Sequence, residues 1–268
     1  IRVTVMGLSY SKQPAAVEAF LDFAAARGEA IFREFGYVLV GGPATRAAPP
    51  SGAAARKLFL YCAAGLRPPV AEIAEAYRAE RGVEVECDYA GSEVLLGRLK
   101  IAQRGDLYLP GEGVYLDQAA AAGLVRSRRD VCRWTPVILV AKGNPKGVRA
   151  LDDLAQKDLK LGLGNPQACA IGRMTVQLLK KNGIDPDAVY RRAVFQSLTV
   201  NELGLHVKLG QIDAAIVWDA TAFYFAEQAE AVGIPADRNL TAMVPVAVLA
   251  TSEAPAAAAA FVEYLTAD

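Results

Sequence analysis

From Lys57 onward the apolar positions switch between two periods. Leu58-Phe-Leu-Tyr-Cys62 is a short apolar run of strand length. Pro68 and Pro69 then suit the first turn of a helix, and Val70, Ile73, Ala74 and Tyr77 recur at helical spacing until Gly82 ends it. Val83–Asp88 alternates as a strand does, and Val94–Gln103 returns to a helical pattern. Asp106–Leu109 reads as a third strand, closed by Pro110 and Gly111, and the alanine-rich Val114–Ala122 as a helix ended by Gly123. Repeated strand–helix alternation predicts a parallel sheet covered by helices.

Pro136–Ala141 is a buried-strand run that predicts a crossover into a second lobe. That lobe reads as helix 150–156, strand 159–164, helix 171–181, strand 193–196, helix 200–209 and strand 214–217. Thr241–Leu249 is the expected return strand and Ala256–Leu265 a final amphipathic helix. Two α/β lobes joined by crossing strands would bury a cleft, the usual place for a ligand. The expected organisation is lobe 1 over 57–137, lobe 2 over 138–243 and a return to lobe 1 over 244–268.

Two turns in the first lobe carry the earliest functional signal: Tyr61-Cys-Ala-Ala-Gly-Leu-Arg-Pro-Pro69 and Tyr89-Ala-Gly-Ser-Glu93. Each follows a strand and opens a helix. A small-residue turn at a helix start leaves backbone N–H groups without intrahelical partners, and two side by side make a cradle for a small anion. This points to a binding protein rather than an enzyme.

The N-terminal stretch repeats the C-terminal one. Pro14-Ala-Ala-Val-Glu-Ala-Phe-Leu-Asp-Phe23 matches Pro255-Ala-Ala-Ala-Ala-Ala-Phe-Val-Glu-Tyr264, and Val3–Val5 aligns with Val244–Val246 at the same offset. Residues 1–40 are therefore expected to be the strand–helix tail of a second copy packing on lobe 1, with 41–56, rich in Gly, Pro, Ala and Ser, as a linker. Self-association through this segment, as in domain swapping, is an open expectation.

Composition narrows the rest. The chain has 268 residues, 53% of them hydrophobic, enough for a sizeable core. Acidic and basic residues balance at 29 each, which argues against a nucleic-acid partner. No apolar run approaches the roughly 18–20 residues that span a bilayer. The start at Ile1 without a Met suggests a processed or trimmed beginning. Four cysteines show no CxxC or Cys/His cluster and read as small buried hydrophobes, with a Cys87–Cys132 bridge left open by spacing. The single histidine, His206, leaves no triad and no His-rich metal site; no cofactor and no catalytic residue is expected.

Residues 57–268 resemble the periplasmic substrate-binding components of ABC importers, in particular the molybdate/tungstate-binding group. The matching stretches are Tyr61–Leu66, Ala90–Ser92, Gly105–Leu109, Val140–Pro145, Leu163–Pro166 and Val207–Trp218. Residues 1–40 resemble that family's C-terminal strand and helix, ending in an Ile-Phe…Phe-Gly-Tyr run. The resemblance implies a two-lobed periplasmic-binding-protein-like α/β fold, each lobe a mainly parallel sheet flanked by helices, with the ligand cleft between them. It implies a periplasmic or other extracytoplasmic location, a small oxyanion as ligand and an ABC permease as partner. Carried over by position, the anion contacts fall at Gly65, where the molybdate binders usually have Ser, at Ser92, near Ala170 and Ile171, at Val200, and at Trp218, where the family usually shows Tyr.

Individual residues refine this. Arg67, two residues past Gly65, is expected to supply a charge-assisted contact in place of the absent serine, which would favour a phosphorylated or carboxylate ligand. Ser92 suits either a ligand hydroxyl or an N-cap. Thr199 and Asn201 flank Val200, either one able to cap that helix while exposing N–H groups to the cleft, and Asn201 is expected among the ligand contacts. Cys169 and His206 read as packing, and Arg126–Arg129 as a solvated face. A ligand-sensing module of a larger receptor stays open as an alternative, and an enzyme on the same scaffold is the less favoured one.

Overall fold

The structure is a computed structural model that describes residues 57–266. The expected second-copy tail over 1–40 and the linker over 41–56 lie outside the described residues.

The first strand, β1 (Lys57–Ala63), leads through a single 3-10 turn, Ala64–Leu66, into α1 (Arg67–Arg81). Pro68 and Pro69 sit in the first turn of α1, where a missing N–H costs nothing, and Val70, Ala74 and Tyr77 are its buried face. Gly82 ends it in the left-handed region at φ 65°, its N–H returning to the Arg78 carbonyl. β2 (Glu84–Ala90), α2 (Ser92–Ala102), β3 (Leu107–Leu109) and α3 (Gly113–Ala121) follow. The chain then runs through β4 (Val125–Trp134) and, after Thr135 alone, into β5 (Pro136–Ala141).

The second half continues with α4 (Leu151–Gln156), β6 (Leu161–Gly164), α5 (Ala170–Lys181), α6 (Pro186–Arg192) and β7 (Ala193–Ser197). After these come α7 (Val200–Lys208), β8 (Ala214–Trp218), α8 (Asp219–Tyr224) and β9 (Ala229–Val232). β10 (Ala242–Leu249) and α9 (Pro255–Leu265) close the fold.

The strands form two five-stranded sheets, β2-β1-β3-β10-β4 and β7-β6-β8-β5-β9. The chain changes sheets at Thr135 and again between β9 and β10, so lobe 1 is built from both sides of the crossings and lobe 2 from the continuous stretch between them. The sheets are mixed: in each, four strands run one way and one runs against them. β1 runs parallel to β2 and β3, and β6 parallel to β7 and β8, whereas β10 is antiparallel to β3 and β4, and β5 to β8 and β9. β5 and β10, the first strands after each crossing, enter their sheets against the direction set by the strand–helix units, which is what the local alternation could not reveal. The central strands are covered on both faces: all five residues of β8 are buried, and Leu58 and Leu60 of β1 are fully so.

Four elements escaped the pattern. β4 carries Arg126, Arg128, Arg129 and Arg133 and is exposed along most of its length, so it shows no apolar alternation. It is an edge strand held by β10, and its charges blunt that edge. Pro245 sits inside β10 where the β10–β4 register shifts between Val244 and Pro245; that bulge accommodates a residue with no N–H to give. α6, α8 and β9 are too short for a readable period.

The Cys87–Cys132 bridge is excluded. Cys87 is on β2 and Cys132 on β4, the two opposite edges of one sheet. Four strand spacings of about 4.8 Å put them roughly 19 Å apart, against the under 7 Å a disulfide allows. All four cysteines are free thiols.

Candidate functional site

The C-terminal ends of the parallel strands of both sheets face each other across a small cavity. Lobe 1 contributes the turn after β1 (Ala63–Gly65), the turn after β2 (Ala90–Ser92), Gly111 after β3 and Trp134 at the end of β4. Lobe 2 contributes Cys169–Ile171, Thr199–Val200 and Trp218. The space left for the centre of a water-sized species is ≈ 20 Å³, so an occupant must be compact. Every lining side chain is uncharged. The Cys169 thiol stays protonated at neutral pH, since burial pushes it up to about 11.

Positive potential comes from the backbone instead. α2, α5 and α7 all start at this cavity, with Gly91, Cys169 and Thr199 as their N-cap residues, and none of the three makes a side-chain capping bond. Their first N–H groups thus have no acceptor from a cap, and each helix start carries about half a positive charge. Three such starts, from both lobes, converge on one point. Such a convergence of helix starts is electrostatically suited to an anion.

Ser92 is the one hydroxyl lobe 1 places here, and it is 2% exposed. It is the first residue of α2, not its cap. Its Oγ accepts the Gly111 N–H at 2.9 Å, which fixes the hydroxyl and leaves its proton to donate, while its carbonyl accepts the Tyr108 hydroxyl at 2.8 Å. Gly111 is held in turn by Trp134, whose Nε1 donates to the Gly111 carbonyl at 2.9 Å. Trp134 stacks on Trp218 with ring centroids 4.7 Å apart and planes 6° from parallel. The pair joins the end of a lobe 1 strand to the end of a lobe 2 strand and walls the cavity.

Close approach explains two glycines. A Cβ on Gly91 would stand 2.3 Å from the Ala168 carbonyl oxygen and 2.6 Å from that of Leu198, both in lobe 2. A Cβ on Gly65 would meet Val200 Cγ1 at 2.9 Å and Trp134 at 3.4 Å. The serine that the molybdate binders usually have at this position would therefore crowd the opposite lobe.

Of the residues expected at the site, Gly65, Ser92, Ala170, Ile171, Val200 and Trp218 line the cavity. Two, Arg67 and Asn201, do not line it. Arg67 is exposed and lays its guanidinium over the Tyr89 ring, 5.2 Å from the centroid. A cation at a helix start is poorly placed for that helix, and a π face gives it another partner. Asn201 donates from Nδ2 to the Ala64 carbonyl at 3.0 Å, so it ties lobe 2 to lobe 1. Trp134, Gly91 and Gly111 were not singled out from the sequence. Trp134 was hidden because it ends the charged strand β4, although it is one of only two tryptophans in the chain.

Beside the cavity, Glu112 forms an ion pair with Arg173 on α5. Burial pushes the Glu112 carboxyl up, and the guanidinium opposes that shift. Among the described residues no group of three or more His, Cys, Asp or Glu is placed to hold a metal ion.

Two sheets with a crossing between them and a cavity at the facing strand ends have a counterpart among known families. The model of the bacterial extracellular solute-binding proteins matches residues 58–268. The chain belongs to this family. The molybdate-binding protein ModA of Mycobacterium tuberculosis is 28% identical over 228 residues, 84% of each chain. Two solved structures share the fold: the sulfate-binding protein SubI of Mycobacterium tuberculosis, at TM-score 0.68, 19% identity and coverage of 79% of this chain and 82% of that one, and a periplasmic thiamin binding protein, at 0.69, 16%, 82% and 81%. At those identities the likeness is one of fold alone. As a solute-binding protein the chain is a binder and not an enzyme. No helix among the described residues is long and apolar enough to cross a membrane.

Proposed function

We propose that this solute-binding protein captures a small, fully ionised oxyanion of the molybdate or tungstate kind outside the cytoplasm and hands it to the permease of an ABC importer. The observation that carries this reading is the convergence of three uncapped helix starts and the Ser92 hydroxyl, from both lobes, on a cavity of ≈ 20 Å³ with no charged lining. Neutral donors in a dry site stabilise a dianion without offering a counter-charge to every passing anion. The lining holds no carboxylate. The hydroxyl of a protonated phosphate would find no carboxylate to accept it, the strongest acceptor a protein offers, which favours a fully ionised anion. The relationship to a protein named for molybdate supports the same class.

A larger phosphorylated or carboxylate ligand bound through Arg67 is not favoured, because that side chain points away to Tyr89 and the cavity is small. The deciding experiment is a thermal-shift screen with molybdate, tungstate, sulfate, phosphate and small organic acids, followed by calorimetry on each hit. A ligand at a hundred times its Kd stabilises by about 2.7 kcal/mol, enough to move the melting temperature clearly. The expected order places molybdate and tungstate first and phosphate last. A response to organic acids with silence from all four oxyanions overturns the proposal.

A further inference from the structure

Glu112 and Arg173 stand out among the charged groups of this molecule. Every other ion pair among the described residues joins two side chains of the same lobe; this one reaches from lobe 1 to lobe 2. It is also the most enclosed, with side chains 31% (Arg173) and 12% (Glu112) exposed. Glu112 directly follows Gly111, and Arg173 comes two residues after Ile171, both of which line the cavity. Neither charged residue lines it. The pair therefore flanks the anion site from both sides of the cleft without facing it.

Taken singly, each partner would put a formal charge beside the anion site. Arg173 lies in the first turn of α5, the helix whose start faces the cavity, where a cation opposes the helix dipole. Without Glu112 its natural counter-ion would be the anion in the cavity. A carboxylate one residue from the lining of an anion site would repel the ligand if Arg173 did not neutralise it. Glu112 Oε2 is buried with no hydrogen-bond partner, and although Glu112 is the N-cap residue of α3, the Arg173 guanidinium is, among the described residues, the one formal charge that hydrogen-bonds its carboxylate. Taken together, the two charges cancel and leave the site to its neutral donors.

We propose that Glu112 is a specificity-determining residue: it holds the Arg173 guanidinium across the closed cleft and so withholds a formal positive charge from the bound anion. A free guanidinium a short distance from the cavity would attract sulfate, phosphate and carboxylates alike, because a charge contact discriminates less than a set of directed N–H and O–H donors. Masking it keeps recognition dependent on geometry. This inference rests on the oxyanion reading of the same cavity.

The test compares wild type with Glu112→Gln, Arg173→Gln and the double variant by calorimetric titration of tungstate, sulfate and phosphate at low and at high salt. Glu112→Gln is expected to gain about tenfold or more in affinity for sulfate and phosphate, with a salt dependence that wild type lacks. Arg173→Gln is expected to lose about tenfold or more for every anion, since it leaves an uncompensated carboxylate beside the site. The double variant removes that stranded charge and is expected within about threefold of wild type. If both single variants weaken all three anions by the same factor, the pair is only a strut and the proposal fails. It fails equally if Glu112→Gln leaves every affinity and its salt dependence unchanged. A wild type that binds none of the three, with phosphate binding appearing in Glu112→Gln, would overturn the oxyanion reading while supporting the masking role.

Discussion

Ser92 shows how a single residue was half legible in the chain. Its place after a small-residue turn marked it as a ligand donor or a cap, and local pattern could not choose. The structure makes Gly91 the cap position and gives Ser92 Oγ to the Gly111 N–H from another turn. Ser92→Ala is therefore expected to act twice. It removes a donor from the cavity, lowering oxyanion affinity by about tenfold, and it strands a buried N–H, lowering the stability of the ligand-free protein by about 1–3 kcal/mol. Calorimetry and urea unfolding separate the two effects; an unchanged unfolding midpoint would mean that the bond to Gly111 contributes nothing. Arg67 marks the opposite outcome. Its number in the sequence is two from Gly65, but the first turn of α1 carries its side chain outward, and Tyr89 receives it. Sequence distance says little about side-chain direction at a helix start.

At the scale of elements, helix starts decide the chemistry, and what matters is which caps are left unmade. Thr199 has the side chain of a good N-cap yet makes no capping bond on α7, whereas Asp185 does accept the Asp187 N–H on α6. A cap of that kind is typically worth about 1 kcal/mol. Thr199→Ala is accordingly expected to change ligand-free stability by no more than about 0.5 kcal/mol in urea unfolding, and a loss of a full 1 kcal/mol would show that the start of α7 is capped after all. Helices and buried strands were readable because each has one apolar period set by its own geometry. β4 was not: it is wet on both faces, and its place depends on pairing with β10, which lies more than a hundred residues further on. With β4 unread, Trp134 at its end was lost as well, and with it the stacked partner of Trp218.

At the scale of the whole molecule, the described state is one in which the lobes touch. Gly91 lies against the Ala168 and Leu198 carbonyls, Asn201 bonds to Ala64, and Glu112 pairs with Arg173. Closure of a two-lobed binder around a hinge draws on contacts that exist only when the lobes meet. Gly91→Ala places a Cβ within 2.3 Å of a backbone oxygen, which cannot yield as a side-chain tip would. This variant is expected to melt near wild type without ligand, to bind oxyanion at least tenfold more weakly, and to show no compaction by X-ray scattering when ligand is added. Compaction equal to that of wild type would show that the lobes meet by another route. The stack of the only two tryptophans makes intrinsic fluorescence a second readout of the same step. The sequence by itself determined the α/β class, the two lobes and the small-residue turns that open helices at the cavity, because turn chemistry and apolar periodicity are local properties of the chain. Tertiary structure alone decided the mixed order of the sheets, the separation of Cys87 from Cys132, the tryptophan wall, the seating of Arg67 on Tyr89 and the pairing of Glu112 with Arg173. Each of these depends on which distant segments the crossing strands bring together, and no local preference encodes that.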